Sequence, residues 1–300
     1  MIKLLYAGFR RYTKSYLFWI AFALNIVLSI VCGMNTRSFY LEDFYLIIQL
    51  SILAILFTFF VGRENDEGLF RNKIIVGHSK GSIYLSEIIL GLTISLIFSL
   101  VYSIIFIIIN NYIFHSAIIW ALTKFFINYI LVVLTFTVVY ITIACLVPKK
   151  AITAIINVLL VFAIAFLAYN IDNKLSIPEY RTEYEYETIT ETDENGDTYT
   201  FMQPIPDSGH EVYNEDYIGG FQRKVYLLAF NILPSGQIID DIFIMNDYFG
   251  YYDVEENKEL LEPITKEAHK TINVNILFSF SSIIILIPIG YFLFIKKQFK

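Results

Sequence analysis

Residues 83–109 read IYLSEIILGLTISLIFSLVYSIIFIII, an apolar run that contains a single charged residue, Glu87. About 20 such residues cross the hydrocarbon core of a bilayer as an α-helix, which satisfies its own backbone hydrogen bonds where water is absent. The run therefore predicts a transmembrane helix. Glu87 lies one turn into this helix, so we expect its side chain to reach back to the aqueous interface.

Five further runs share the length and composition of this stretch. They are Tyr16 to Met34, Tyr45 to Val61, Phe125 to Val147, Ala151 to Tyr169, and Asn273 to Ile295. The chain is 56% hydrophobic and 17% charged, whereas a soluble domain has about 25% charged residues. The sequence therefore predicts an α-helical polytopic membrane protein with six transmembrane helices, the last of them interrupted at Pro288.

The distribution of Lys and Arg predicts the orientation, because basic loops are retained in the cytoplasm. With both termini inside, the cytoplasmic segments hold 13 basic and 4 acidic residues, and the rest of the chain holds 9 basic and 24 acidic residues. An even number of spans agrees with this arrangement. We expect both the N-terminus and the C-terminus to be cytoplasmic.

The first 15 residues precede the first span. Leu5, Phe9 and Tyr12 recur at i, i+4 and i+7, and basic residues occupy another face. This pattern predicts a cytoplasmic amphipathic helix at residues 1–15, along the membrane surface, before helices 1–5 in residues 16–169. The alternative is a basic flank that only fixes the topology.

Residues 170–272 form a long acidic, tyrosine-rich segment before the sixth span. Within it, EYEYETITETDENGDTYTF alternates polar with aromatic or β-branched residues around Asn195-Gly196, which is typical of a β-hairpin. A helix is expected from Gly220 to Leu233, followed by a break at residues 234–236. We predict a small α+β extracytoplasmic insertion between helices 5 and 6, and a sixth helix with a basic cytoplasmic tail in residues 273–300.

Polar side chains also occur inside the predicted spans. They include Asn25, Gln49, Asn128 and Asn157. Such groups line a pathway in some membrane proteins, but hydrogen bonding between helices is the commoner explanation. We therefore expect these residues to join neighbouring helices.

The sequence lacks the usual patterns for binding metals, nucleotides or nucleic acids. Cys32 and Cys145 fall within spans and are expected to pack in the core, and the four histidines have no ligand-like spacing. No G-x-x-x-x-G-K-[ST] phosphate loop occurs. Because the basic residues follow the topology, they do not indicate nucleic acid. We predict no metal site and no cofactor in this chain.

The segment GLFRNKIIVGHSKG, residues 68–81, separates the second and third spans. Its last five residues fit the G-x-S-x-G pattern of a serine hydrolase, with Ser79 as the nucleophile. Such an enzyme needs an acid and a histidine later in the chain, on the same side of the membrane. Ser79 is predicted inside, whereas the later histidines are predicted outside. These are His115, His210 and His269.

The same segment has the charge order of a short helix on the cytoplasmic face. Acidic residues precede basic ones, and Glu67 and Arg71 are spaced as a favourable i, i+4 pair. Gly77 is suited to end this helix, and Ser82 to cap the next span. We expect Phe70 to pack on the membrane-proximal helices. The alternative is an amphipathic linker without a specific role.

These residues resemble the membrane subunit, or permease, of an ABC-2 type bacterial ABC transporter, and the resemblance covers nearly the whole chain. One match is Glu64-x-x-x-Gly68-x-x-Arg71-Asn72-Lys73, then Gly77-His78-Ser79-Lys80 and Ile83-Tyr84-Leu85-Ser86. A second, before the last span, comprises Tyr217, Gly219, Arg223 and Leu233-Pro234-Ser235-Gly236-Gln237. Asn214-Glu215 departs from the Asn-Pro of the family pattern.

The resemblance implies that residues 63–82 hold a coupling helix that touches an ATPase subunit. The implied contact residues are Glu64, Glu67, Gly68, Phe70, Arg71, Asn72, Lys73, Gly77, His78, Ser79 and Lys80. It also implies two copies of an ABC ATPase, which bind ATP and Mg, and a second permease copy or paralogue in the bacterial cytoplasmic membrane. The chain itself is then non-catalytic.

The function that the resemblance implies is ATP-driven export across the lipid bilayer. Many bacterial relatives export, or confer immunity to, antimicrobial peptides, and others handle drugs, lipids or ions. An amphipathic peptide is therefore one expected substrate. Two alternatives remain: a membrane-embedded sensor or scaffold with a ligand-binding outer domain, and a membrane serine hydrolase.

Overall fold

The computed structural model describes residues 1–34, 42–110, 116–192, 198–206, 208–252 and 258–298. Most of these residues are helical. The helices are α1 (Ile2–Thr13), α2 (Tyr16–Met34), α3 (Glu42–Phe57), α4 (Arg63–Asp66), α5 (Leu69–Ile75), α6 (Lys80–Asn110), α7 (Ser116–Leu146), α8 (Lys150–Leu175), α9 (Gly220–Ile232), α10 (Pro234–Tyr252) and α11 (Lys258–Lys296). A π-helical turn, Thr58–Gly62, joins α3 to α4.

Six helical segments within the described ranges are long and apolar enough to cross a membrane, which confirms the predicted number. They are Tyr16–Met34, Phe44–Asp66, Lys80–Ile109, Leu122–Leu146, Lys150–Leu175 and Lys270–Lys296. The predicted interruption at Pro288 is wrong, because α11 runs through it to Lys296. The α9 and α10 helices pass the same test only together, as a broken pair.

The helical unit comprises Met1–Ala168 and Asn231–Lys300. Its centre is α7, which packs against α6, α10 and α11. A Cβ added at Gly91 on α6 would overlap the side chain of Ile141 on α7. Absence of a side chain at Gly91 thus allows these two long helices to approach closely.

The polar residues of the spans join neighbouring helices, as predicted. Asn25 donates from Nδ2 to the Phe98 carbonyl oxygen at 3.1 Å and accepts from Gln49 Nε2 at 2.8 Å. Asn157 Nδ2 lies 3.2 Å from Thr58 Oγ1. Neither Cys32 nor Cys145 forms a disulfide, and both are buried, as expected of core residues.

A second compact unit, Tyr169–Phe230, contains all the strands that the structure describes. These are β1 (Tyr180–Glu183), β2 (Tyr186–Thr192), β3 (Thr198–Pro204) and β4 (His210–Tyr213). The β2 and β3 strands pair antiparallel with Ile189 opposite Phe201, which confirms the two strands of the predicted hairpin. Its predicted turn, Asn195-Gly196, lies outside the described residues. The β1 and β4 strands form a second antiparallel pair.

The boundary of this unit differs from the predicted insertion at 170–272. Residues from Asn231 onward belong to the helical unit. The reason is the apolar face of α10, where Ile238 and Ile242 are buried in the main hydrophobic core. A break was expected at residues 234–236; the structure has it at Leu233, between α9 and α10, and Pro234 is the first residue of α10, a position where proline is favoured.

Candidate functional site: a buried ion-pair network

The segment between α3 and α6 is divided by glycines with positive φ. Gly68 has φ +71° and separates α4 from α5, and Gly77 has φ +100° and follows α5. Residues other than glycine rarely adopt these backbone angles. The result is a seven-residue helix, α5, between two bends.

The split at Gly68 changes the predicted charge pairing. Glu67 lies in the turn after α4, whereas Arg71 lies on α5, so the expected i, i+4 pair does not form. Glu67 instead accepts from Arg63 Nε at 2.6 Å, one turn earlier in the chain. Arg71 is left exposed and forms no ion pair with the described residues.

One face of α5 is anchored in the helical unit, as predicted for Phe70. Its ring is fully buried, with its centroid 5.7 Å from that of Phe294 near the end of α11. Ile74, one turn later, is partly buried against the same core. The α5 helix is therefore attached by its side chains as well as by the chain ends.

Four charged residues form a buried ion-pair network beside Phe70. Lys73 Nζ on α5 lies 2.6 Å from Glu64 Oε2 on α4 and 3.1 Å from Glu87 Oε1 on α6. Arg11 on α1 pairs with Glu64 and, at 3.4 Å, with Glu87 Oε2. Each cation thus contacts both carboxylates, and the four formal charges balance.

The position of Glu87 corrects the expectation that its side chain reaches the interface. Its residue exposure is 2%, and that of Glu64 is 6%. Burial of a carboxylate is costly unless it is paired, and Arg11 and Lys73 supply the pairs. The network therefore replaces water around Glu87 and joins α1, α4, α5 and α6.

The N-terminal helix packs beside this network through Tyr12, a residue of its predicted apolar face. Tyr12 is buried and stacks on Phe60, with 3.9 Å between ring centroids, whereas Phe9 is exposed. A Cβ at Gly8 would overlap Leu90 of α6, so Gly8 sets the close approach of the two helices. Burial raises the pKa of the Tyr12 hydroxyl well above its ordinary value, which keeps this ring neutral beside Arg11.

Two further side chains bind the ends of the long helices to this segment. Asn65 on α4 donates to the carbonyl oxygens of Ala144 (2.9 Å), Cys145 (3.1 Å) and Val147 (2.6 Å) at the C-terminus of α7. Lys297 donates to Asn65 Oδ1 at 2.7 Å and to the Cys145 carbonyl oxygen at 2.8 Å. Burial lowers the pKa of Lys297.

Lys80 makes the corresponding contact with α11. Its Nζ donates to the carbonyl oxygens of Ile295 at 3.0 Å and Lys297 at 2.7 Å. Positive charge at a helix C-terminus is favourable because unpaired carbonyls face outward there. Through Asn65, Lys80 and the network, residues 63–82 are bonded to α1, α6, α7 and α11.

Ser79 occupies a capping position. Its Oγ accepts from the backbone N–H of Ser82 at 3.2 Å and lies 2.8 Å from Ser82 Oγ, directly before the first residue of α6. Ser79, and not the predicted Ser82, therefore caps this helix. The hydrogen bonds that the structure gives to the Ser79 hydroxyl group are those with Ser82.

The outward side of α5 carries exposed apolar and polar groups together. Ile75 is 72% exposed and Val76 is 79% exposed. Arg71 and Asn72 are exposed beside them. His78 and Asn72 also line a cleft of about 310 Å³ next to this surface. We call Arg71, Asn72, Ile75 and Val76 the α5 surface.

The second group of motif residues is divided between the two compact units. In the strand-containing unit, Arg223 lies over the Tyr217 ring, 5.2 Å from its centroid, and donates to the Leu175 carbonyl oxygen at 2.9 Å. Gly219 precedes this helix, and a Cβ there would meet the Tyr217 ring. These contacts indicate a structural role in joining α8 to α9.

The remaining motif residues begin α10. Pro234 is its first residue, Gly236 is buried, and Gln237 Nε2 donates to the Asn231 carbonyl oxygen at 2.6 Å. The structure thus divides the second motif between two places: one part fixes α9, and the other places α10 in the core.

Arg11, Asn65 and Lys297 belong to the site but were not singled out in the sequence. The signals were weak: Arg11 is one of two adjacent arginines, and a lone Asn or a basic tail is common. Glu87 offered the clearest signal of a buried ion pair, because it is the one charged residue of an apolar run; its partners are Arg11 and Lys73. No protein-family model and no curated protein matches this chain.

Proposed function

We propose that this chain is the membrane-spanning subunit of an ATP-driven ABC-2 type exporter, with α5 as the coupling helix. The carrying observation is the two-sided construction of α5. Its inner side is bound to α1, α6 and α11 by the ion-pair network and Phe70, and its outer side presents the α5 surface. A short helix held in this way transmits displacement of a docked partner to several long helices together.

The proposal includes insertion in the bacterial cytoplasmic membrane with both termini inside. The six long apolar helices support insertion. The excess of basic residues in the segments that contain α1, α5 and the chain end supports the orientation. On this arrangement, the α5 surface faces the cytoplasm, where a nucleotide-binding subunit would dock.

The composition of the α5 surface suits a protein partner. Exposed Ile75 and Val76 provide apolar contact, and Arg71 provides a charge-assisted hydrogen bond to a carboxylate. The two ATPase copies would each hold ATP and Mg, and two permease chains would enclose the path. Substrate recognition would then fall to the helices and the acidic strand-containing unit.

Affinity purification of the full-length chain from its native host, in mild detergent, tests this proposal. We expect an ATPase with a phosphate-binding loop to copurify, and Ile75→Asp to reduce its recovery at least tenfold. Met202→Asp is the matched control, because Met202 lies in the β-hairpin and its exposed fraction, 73%, is close to the 72% of Ile75. Absence of an ATPase from the wild-type preparation, or equal loss in both variants, would contradict the proposal.

A further inference from the structure

A second cluster of polar residues lies within the helical unit; its member on α7, Asn128, is about 25 Å along that helix from Cys145, whose carbonyl oxygen accepts from Asn65. Its centre is Asp241 on α10, a carboxylate with no exposed surface. Asn128 Nδ2 on α7 donates to Asp241 Oδ2 at 2.6 Å, and Asn275 Nδ2 on α11 donates to Asp241 Oδ1 at 2.8 Å. We call Asn128, Gln237, Asp241, Asn275 and Ser279 the Asp241 cluster.

Asp241 differs from Glu64 and Glu87 in having no cationic partner among the described residues. The nearby charges do not supply one. Asp240 is itself acidic and accepts from Asn275 Nδ2 at 3.0 Å. Lys124, one turn before Asn128 on α7, donates to Asn273 Oδ1 at 2.5 Å. A fully buried carboxylate without a countercharge is strongly unfavourable, so a positive species is needed here.

Asn275 provides an independent sign of a missing ligand. Its side chain is fully buried, and its Oδ1 has no hydrogen-bond partner. Amide geometry fixes this oxygen next to Nδ2, which contacts Asp241. The amide that donates to the Asp241 carboxylate thus carries a buried oxygen without a donor.

Ser279 adds a further deficit of donors. Its hydroxyl group lies within hydrogen-bond reach of both Asn128 Oδ1, at 2.9 Å, and Gln237 Oε1. A hydroxyl group has one hydrogen, so it cannot donate to both amide oxygens. Addition of one proton to Asp241 would supply one donor, whereas a metal cation contacts several oxygens at once.

We propose that the Asp241 cluster binds a monovalent alkali cation, Na⁺ or K⁺, between α7, α10 and α11. The ligands are oxygens, which hard cations prefer. A monovalent ion is favoured because its single positive charge is balanced by the one buried carboxylate of Asp241. In the described ranges, no group of three acidic, His or Cys side chains lies together, as a site for a divalent metal would often require. The bound ion holds α10 in the core. This site requires no ATPase and stands apart from the α5 surface.

Thermal unfolding of the purified full-length chain tests the cation site. Melting temperature is measured in NaCl, KCl and choline chloride at one ionic strength and one pH. We expect a saturable rise with Na⁺ or K⁺ over choline, and the comparison of the two salts identifies the ion. Asp241→Asn should abolish the rise, because the amide removes the charge and keeps the shape. Asp216→Asn, at an exposed loop carboxylate, is the control and should retain it.

Direct binding gives a readout that is separate from stability. Radioactive ²²Na⁺ or ⁸⁶Rb⁺ bound to the wild-type chain should be displaced by the matching alkali salt and not by choline, and Asn275→Ala should weaken binding at least tenfold. Equal melting in all three salts with no bound tracer would overturn the proposal. A melting temperature that rises only on acidification, and no longer does so in Asp241→Asn, would also overturn it, because the bound species would then be a proton. A larger rise with Ca²⁺ than with either alkali ion would overturn it as well.

Discussion

Lys73 of α5 lies with its Nζ 3.1 Å from Oε1 of Glu87 on α6, in a place where the glutamate has almost no exposed surface. This contact crosses the bend at Gly77 and binds the short helix to the long one. Because separation of this ion pair would leave a buried charge without a partner, α5 and α6 are expected to move as one body. A flexible linker would not need such a contact.

Removal of the Glu87 charge should destabilise the protein strongly. Glu87→Gln leaves Arg11 and Lys73 with one carboxylate between them, and breaking a buried pair costs about 3–5 kcal/mol. Thermal unfolding in detergent measures the loss. Glu67→Gln is the matched control, since its pair with Arg63 is exposed and is worth about 1 kcal/mol or less. Equal losses in both variants would contradict a specific role for burial.

The pairing of Lys73 with Glu87 should appear as an interaction energy. Lys73→Met removes the cation and keeps an apolar stem, and Glu87→Gln removes the anion. For residues in one network the double variant should be less destabilised than the sum of the single variants, by about 1–3 kcal/mol. A double-mutant cycle of unfolding free energies measures this, and simple additivity would count against the contact.

Attachment of α1 should depend on the absence of a side chain at Gly8. Gly8→Val places two methyl groups against Leu90, and overpacking of this kind costs about 1–3 kcal/mol. Ala7→Val changes the neighbouring exposed position and should have little effect. Leu90→Ala should recover part of the stability lost in Gly8→Val, because it opens the space. No recovery would place the effect elsewhere.

The sequence predicted the long helices well because their signal is local. A run of apolar residues identifies a span on its own, and Tyr16–Met34 agrees at both ends with the structure. Polar residues such as Asn25 and Asn157 were also predicted to join helices, since a buried amide has few other choices. The number and positions of the long helices could therefore be predicted from the composition and length of the apolar runs.

Pairing across the chain was not accessible in this way. Glu87 needed Arg11, which is far away in sequence, and no spacing rule connects them. The pair of Glu67 with Arg71 failed because helix periodicity assumes one continuous helix, and Gly68 interrupts it. Residues near Asp241 were assigned to the outer insertion because acidic character outweighed the apolar face of α10.

The proposed orientation predicts a pattern of chemical labelling. Cysteine introduced at Thr200, an exposed residue of β3, should react with an impermeant thiol reagent in whole cells. Cysteine at Ser79 is also exposed but should react only after the membrane is opened. Both native cysteines are buried, so the background should be low. Labelling of Ser79→Cys in intact cells would contradict the N-in, C-in topology.

The last prediction compares Arg71 with Ser79, which lie on either side of the bend at Gly77. Arg71→Glu places a repulsive charge on the α5 surface, so it should weaken docking of the ATPase or uncouple ATP hydrolysis from transport. Ser79→Ala removes only the cap of α6, a loss of about 1 kcal/mol. Substrate-stimulated ATPase activity of the reconstituted complex measures both, and a pull-down separates failed docking from failed coupling. A serine hydrolase requires the reverse order, so normal coupled activity in Arg71→Glu, together with complete loss in Ser79→Ala, would refute the coupling role of α5.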